Sequence, residues 1–105
     1  MPWYIPELNG QRAAELLMPL PAGTFVARNS STKGVQAISI HLGQGDVSHI
    51  LCIQSPKAGG GVQVRLGQDG EHLFSSVRDL VGYYMEYPPA NPRTGQPLMF
   101  TPYKK

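Results

Sequence analysis

The chain has 105 residues, of which 41% are hydrophobic and 15% charged, and its net charge is +2. This length fits one domain, and the composition can bury a core, so a disordered segment is excluded. The mild positive charge favours an anionic ligand. The sequence lacks the dense Lys/Arg stripe of a nucleic-acid binder, so we expect no nucleic-acid partner.

Cysteine content and apolar patterning indicate the compartment. Cys52 is the only cysteine, so no internal disulfide can form, which is typical of a reducing compartment. No apolar run approaches the roughly 20 residues that span a bilayer, and no signal-peptide pattern opens the chain. We therefore expect a cytoplasmic protein without a membrane partner. We separately expect the protein to be a monomer. It should form a single domain over residues 1–105, with residues 1–2 and 103–105 as its edges.

The first two thirds of the chain predict one helix and then strands. Residues 10–18 carry apolar side chains at helical spacing, Asn9 is a suitable N-cap, and Pro19 ends the helix. Residues 30–34 and 43–46 have turn composition, and the second of these is a hairpin signal. Alternating apolar residues predict four strands, at residues 23–29, 35–42, 47–54 and 62–66.

The last third predicts a second helix. Val77, Leu80, Val81 and Tyr84 follow one another at amphipathic spacing, so a helix is expected from residue 75 or 76 to residue 87, where two prolines stop it. A Pro/Gly-rich loop then reaches residue 97, and residues 98–100 are expected to form a last short strand. The order of elements predicts an α+β fold, with a central antiparallel sheet flanked by two helices.

Enzyme motifs are missing from the sequence. The three histidines, His41, His49 and His72, have no metal-ligand spacing with Cys52. The glycines at residues 59–61 lack the Lys-Ser/Thr that would follow in a phosphate-binding loop, and no G-x-S-x-G is present. We therefore expect a protein without catalytic activity, metal or cofactor.

Arg28 is the unusual residue of the first predicted strand. It shares a face with Val26 in an apolar segment, where an arginine is costly unless it is paired. A guanidinium that faces an open pocket can hold two phosphate oxygens, whereas the alternative is an internal ion pair, for example with Glu15. The local pattern does not separate the two. Hydroxyl groups in the following loop favour the phosphate, although such residues are also ordinary in turns.

Several segments resemble the motifs of Src-homology 2 (SH2) domains. Residues 23–30 read GTFVARNS, which is similar to the G-T/S-F-L-V-R-x-S signature, and residues 47–50 resemble the V-x-H-Y/I strand. Residues 74–84 resemble the F-x-S-L-x-x-L-V-x-Y-Y helix, and Trp3 and Tyr4 resemble the aromatic pair that opens the family. These motifs keep the family's order over nearly the whole chain. Residues 37–40 and 98–102 are also similar to Vav-type SH2 domains.

The resemblance implies a phosphotyrosine-peptide-binding module in tyrosine-kinase signalling, an adaptor whose partners are tyrosine-phosphorylated peptides or proteins. It implies that Arg28 makes a bidentate contact with the phosphate. The other residues implied at the phosphate are Ser30, Ser31, Thr32, Lys33, His49 and Arg12. The residues implied in peptide specificity are Ile50, Leu51, Tyr83, Tyr84 and Leu98. The aliphatic Ile50 implies a preference for hydrophobic residues after the phosphotyrosine.

Two departures from the family pattern concern cations. Many members have an arginine near the start of the first helix, where this chain has Gly10 or Gln11, with Arg12 adjacent. Other members have a lysine or arginine two residues after the strand histidine, where this chain has Leu51. One missing charge-assisted hydrogen bond costs about 1.5–3 kcal/mol, so we expect weak binding. The alternative is an SH2-like scaffold or intramolecular clamp that has lost phosphate binding.

Overall fold

The structure, a computed structural model, describes residues 3–31, 34–56, 58–67 and 72–104. Within these ranges two helices flank one five-stranded sheet, which confirms the predicted α+β architecture. The elements are α1 (Gly10–Leu17), β1 (Thr24–Asn29), β2 (Gln36–Gly43), β3 (Asp46–Pro56), β4 (Val62–Leu66), α2 (Val77–Glu86) and β5 (Thr101–Pro102). Neither helix has the length and apolar composition of a membrane span.

The strand order is β4-β3-β2-β1-β5. The four strands β1 to β4 are antiparallel neighbours, as expected, and β3 runs two residues further than the sequence predicted. Strand β5 pairs in parallel with β1, where Thr24 lies opposite Thr101. The sheet is therefore mixed at this edge and not antiparallel throughout.

The last strand was predicted at residues 98–100, and this position is wrong. Leu98 and Phe100 are each 6% exposed while Met99 is exposed, so their alternation marks a buried face. Residues 98–100 have no place in the ladder, because the bonds to the β1 edge begin with the Thr101 N–H, which donates to the Gly23 carbonyl at 2.9 Å. Alternation identifies which side chains are buried, but it does not identify which backbone groups pair.

Side-chain caps fix the start of both helices. The Asn9 side chain accepts the Arg12 N–H at 2.8 Å, as the sequence predicted for α1. Ser76 does the same for α2, where it accepts the Asp79 N–H at 3.1 Å. Each cap satisfies one of the N–H groups that a helix start leaves without an intrahelical partner. The second helix therefore runs from Val77 to Glu86, with the predicted residues 76 and 87 as its caps.

The hairpin between β2 and β3 has the predicted turn chemistry. Gln44 and Gly45 both have positive φ angles, of 54° and 76°. Two positive φ values at the centre of a two-residue hairpin are typical of a type I′ turn, whose twist matches that of the strands. Beyond the turn the register shifts between His41 and Gly43, and Ser39 of β2 then lies opposite His49 of β3.

The sheet separates two apolar clusters. Phe25 and Ala27 of β1 belong to the cluster that contains the buried side chains of α2. Val26, one residue along, packs instead with Ala13 and Leu17 of α1. Because alternate residues of a strand point to opposite faces, Arg28 lies on the α1 face with Val26, as predicted.

Candidate functional site

Arg28 is held in place by hydrogen bonds rather than by a carboxylate. The residue is only 7% exposed. Its Nε donates to Ser39 Oγ at 2.9 Å, and its Nη1 donates to the Asn29 carbonyl at 3.2 Å. Within the described ranges it forms no ion pair, and Glu15 is exposed on α1. Of the two interpretations of Arg28, the internal pair with Glu15 is therefore not formed.

Ser39 and His49 extend this network. Ser39 is fully buried, and its Oγ lies 2.7 Å from His49 Nδ1. Arg28 Nη2 lies 3.4 Å from the same nitrogen. Burial, and secondly the positive charge of Arg28, lower the pKa of His49. In the neutral imidazole, Nδ1 accepts a hydrogen bond from the Ser39 hydroxyl, so the ring's own hydrogen lies on Nε2.

The network leaves part of the guanidinium available. Burial lowers the pKa of Arg28, but a guanidinium keeps its proton near neutral pH because its ordinary pKa is above about 12. Nε is used by Ser39, and one hydrogen of Nη1 is used by Asn29. The remaining N–H groups on the two terminal nitrogens can form the planar fork that suits two phosphate oxygens.

Arg28 lines a cavity of about 480 Å³, a size typical of small-ligand pockets. Ser30, Ser31 and Leu51 line it too, and so do residues 6–10. Two of the loop hydroxyls that the sequence singled out thus lie in the same cavity as the arginine. Leu51 was predicted to act in peptide specificity, and here it lies in the arginine's cavity.

Of the residues predicted near the phosphate, the described Arg12 and His49 do not line this cavity. Thr32 and Lys33 lie outside the described residues. Arg12 is exposed on α1 and does not line the cavity. The described part of the wall therefore contains one cationic side chain, that of Arg28.

Position 10 is the helix residue that faces the arginine. A Cβ added to Gly10 would lie 3.2 Å from Arg28 Nη2 and 3.7 Å from His49 Cε1. Gln11 is exposed one residue further along α1. The sequence left open which of the two corresponds to the family's helix arginine, and the geometry favours Gly10.

Two residues of this site were missed from the sequence. Ser39 stands between Ile38 and Ile40 in a buried strand, and a polar residue in such a run could have signalled a role in binding Arg28. Glu7 lines the cavity, but nothing in its local pattern distinguishes it from other exposed acidic residues. Its proximity to Arg28 depends on how the N-terminal segment folds against the sheet.

The residues predicted for peptide specificity lie with the α2 cluster, apart from Leu51. Ile50 and Tyr83 are half-buried at its margin, whereas Tyr84 and Leu98 are buried within it. The sequence predicted that one of the two tyrosines is a core residue, and this is Tyr84. A Cβ on Gly67 would lie 3.2 Å from Ile50 Cγ2, so Gly67 packs closely against Ile50 and a side chain there would crowd it.

Tyr83 forms part of an aromatic surface. Its hydroxyl oxygen lies 3.2 Å from His72 Nε2, and its ring centroid is 5.0 Å from that of the exposed Tyr87. Phe74 packs against it at 5.3 Å. Such rings offer apolar area with polar edges, which suits contact with peptide side chains. Among the described residues no group of acidic, histidine or cysteine side chains could hold a metal ion.

Comparisons with solved structures agree with this geometry. The SH2 domain of a Monosiga brevicollis CRK/CRKL homolog, determined by NMR in solution, has a TM-score of 0.74 and 26% identity, covering 100% of this chain and 88% of that one. The structure named CED-2 has a TM-score of 0.71 and 22% identity, covering 98% of this chain and 60% of that one. The second likeness concerns the fold alone.

Sequence comparisons identify the family. Protein vav-1 of Caenorhabditis elegans is 33% identical over 78% of this chain and 7% of its own length. Tyrosine-protein kinase Btk of Drosophila melanogaster is 32% identical over 78% of this chain and 10% of its own. The chain thus spans a tenth or less of these relatives. A model of the SH2 domain family matches residues 3–84. The chain therefore belongs to the SH2 domain family, the phosphotyrosine-binding modules of signalling proteins.

Proposed function

We propose that this domain binds tyrosine-phosphorylated peptides, with Arg28 as the residue that holds the phosphate. The observation that carries the proposal is a buried arginine without a carboxylate partner among the described residues, on the wall of a cavity. A phosphate with a charge of about −1.5 to −2 near neutral pH supplies the missing anion. Ser30 and Ser31 line the same cavity and add hydroxyl groups.

The depth of Arg28 favours phosphotyrosine over phosphoserine. The residue is 7% exposed on β1, so a ligand must carry its phosphate well below the surface. A phosphotyrosine extends its phosphate on an aromatic ring, whereas the phosphate of a phosphoserine stays close to the peptide backbone. The peptide residues that follow would cross to the other face of the sheet, where Ile50 and Tyr83 offer apolar contacts.

The domain acts by binding and not by catalysis in this proposal, as a cytoplasmic module that recruits phosphorylated partners. A second candidate is a scaffold or intramolecular clamp without phosphate binding. The observation in its favour is the absence of a second cation in the described wall of the cavity, where residues 10 and 51 are glycine and leucine. The ordered bonds of Arg28 with Ser39 and His49 favour the binding module instead.

The test is a fluorescence-polarisation titration with three forms of a degenerate peptide pool: phosphotyrosine, unphosphorylated tyrosine and phosphoserine. We expect the phosphotyrosine pool alone to bind. Arg28→Ala should weaken that binding by more than about thirtyfold, since a central desolvated arginine contributes upwards of about 2 kcal/mol. Arg28→Lys, which keeps the charge but loses the planar fork, should also bind less tightly.

Arg78→Ala is the matched control. Arg78 is an exposed arginine on α2, so this variant changes the net charge equally without touching the cavity. Its affinity should stay within about twofold of wild type. Thermal unfolding of each variant without peptide checks that it folds. Equal binding of the three pools, or a folded Arg28→Ala that keeps wild-type affinity, would favour the scaffold.

A further inference from the structure

Glu7 introduces a negative charge into the cavity of Arg28. It is the one carboxylate in the cavity's described wall, and its side chain is exposed. Among the described residues it has no ion-pair partner. A carboxylate beside a phosphate site repels the anion that the site must bind, so its presence there calls for a compensating cation.

The domain itself supplies little compensation in the described wall. Position 10 is the residue best placed to carry a second cation beside Arg28, and it is a glycine. Leu51, which also lines the cavity, provides an apolar side chain that is 43% exposed. Arg28 is therefore the one cation in the described wall that attracts the phosphate against its repulsion by Glu7. A cation carried by the ligand would remove this imbalance.

The position of Glu7 indicates which part of the ligand it meets. Glu7 lies just before α1, three residues after Tyr4, which forms a parallel bridge with Ala27 of β1, and it lines the same cavity as Arg28. Ile50 and Tyr83 belong to the cluster on the α2 face. If the residues after the phosphotyrosine cross to that face, the residues before it leave the cavity past residues 6–9.

We propose that Glu7 is a specificity-determining residue that selects a lysine or arginine directly before the phosphotyrosine. This inference rests on the proposed function. The ligand's cation pairs with the Glu7 carboxylate at the mouth of the cavity, and it thereby lowers the repulsion that the phosphate meets. Glu7 thus disfavours ligands with an acidic residue directly before the phosphotyrosine. One side chain therefore both favours basic ligands and disfavours acidic ones.

The experiment compares phosphotyrosine peptides that differ only at the residue before the phosphotyrosine, which is lysine, alanine or glutamate. On wild type we expect lysine to bind about two- to fivefold more tightly than alanine, the range of an exposed ion pair. Glutamate should bind more weakly than alanine. The net charge of the protein is +2, so a general field effect would act against lysine rather than for it.

Two variants of Glu7 and one control separate the contact from the general field. Glu7→Gln should remove the lysine preference and bind the alanine peptide more tightly than wild type does. Glu7→Lys should reverse the order, so that the glutamate peptide binds best. Glu15→Gln makes the same change in charge on α1, away from the cavity, and it should keep the wild-type preference.

The outcomes distinguish this inference from the proposed function. If phosphorylation of the tyrosine does not raise affinity for any peptide, the proposed function fails and Glu7 selects nothing. If phosphopeptides bind but Glu7→Gln keeps the lysine preference, or Glu7→Lys does not reverse it, the inference alone is overturned. A preference that disappears equally in Glu15→Gln would also overturn it, because the effect would then be one of net charge.

Discussion

Arg28 is fixed before any ligand arrives, because each of its contacts constrains a different part of the guanidinium. Ser39 holds Nε, the Asn29 carbonyl holds Nη1, and His49 lies beside Nη2. A side chain with four rotatable bonds otherwise loses much conformational freedom when it binds an anion. A network formed in advance reduces this cost, so more of the interaction energy appears as affinity.

The absence of a side chain at position 10 leads to a prediction about affinity. Gly10→Arg places a second cation beside Arg28, since its Cβ would lie 3.2 Å from Arg28 Nη2. The tip of Arg28 has to shift slightly to admit it. One added charge-assisted hydrogen bond to the phosphate should tighten phosphotyrosine-peptide binding by about ten- to a hundredfold. Isothermal titration calorimetry measures the change.

Gln11→Arg is the control for this prediction. Gln11 is exposed on the same helix, so its replacement adds an equal charge that does not begin beside Arg28. We expect a gain of less than about threefold from long-range attraction. Equal gains in the two variants would contradict the assignment of position 10. The absence of any gain in Gly10→Arg would show that a missing cation does not limit affinity.

At the scale of residues, the sequence identifies Arg28 as unusual more readily than it identifies the residues that surround Arg28 in the fold. The position of Arg28 follows from strand alternation, which is a local property. The choice between Gly10 and Gln11 depends on the rotation of α1 against the sheet, which no local pattern contains. The place of Glu7 depends in the same way on a parallel bridge between Tyr4 and Ala27.

At the scale of elements, two contacts join the loop between α2 and β5 to the β2–β3 hairpin, and one of them is buried while the other is exposed. Asn91 is 6% exposed, and its Nδ2 donates to the Leu42 carbonyl at 3.0 Å. Its Oδ1 accepts the Arg93 N–H at 2.8 Å. Arg93 also pairs with Asp46 at 2.6 Å, where both side chains are well exposed. Burial should decide which contact stabilises the loop.

We expect Asn91→Ala to lower the free energy of unfolding by about 1–3 kcal/mol, because it removes a buried donor and acceptor together. Asp46→Asn breaks the exposed ion pair and should cost less than about 1 kcal/mol. Urea denaturation monitored by circular dichroism compares the two. If Asp46→Asn proves as destabilising as Asn91→Ala, the ion pair and not Asn91 fastens the loop.

The elements themselves were largely predictable, with one instructive exception. The helices follow from amphipathic spacing and caps, and the hairpin turn follows from its glycines. The last strand was misplaced because Leu98 and Phe100 alternate with Met99 in the way that strand residues do. Their burial comes from packing within the α2 cluster, whereas the strand lies in the next two residues, and the Thr101 and Tyr103 N–H groups donate to the β1 edge.

At the scale of the whole molecule, the sheet separates the two surfaces that the proposed ligand would contact. The cavity of Arg28 lies on the α1 face, and Ile50 with Tyr83 lies on the α2 face. A peptide that contacts both surfaces can do so only while the strands between them stay paired. Ligand binding should therefore stabilise the sheet as a unit, and a buried probe on an inner strand should report this.

Cys52 is such a probe. It lies on β3, an inner strand, between Gln36 of β2 and Leu66 of β4, and it is 1% exposed. Burial raises the pKa of its thiol to about 12, so the reactive thiolate is scarce near neutral pH. We expect the native protein to react with a disulfide reagent such as dithionitrobenzoate only through molecules that have opened the sheet.

The reaction rate then links ligand binding to unfolding of the entire domain. A ligand that binds only the folded state lowers the unfolded population by a factor of about 1 + [L]/Kd. A phosphotyrosine peptide at a hundred times its Kd should therefore slow the labelling of Cys52 by about a hundredfold. In Arg28→Ala the same peptide concentration should slow it far less. If the peptide leaves the wild-type rate unchanged while titration shows that it binds, Cys52 is exposed by a local separation of β3 from β4, and the two faces of the sheet do not open together.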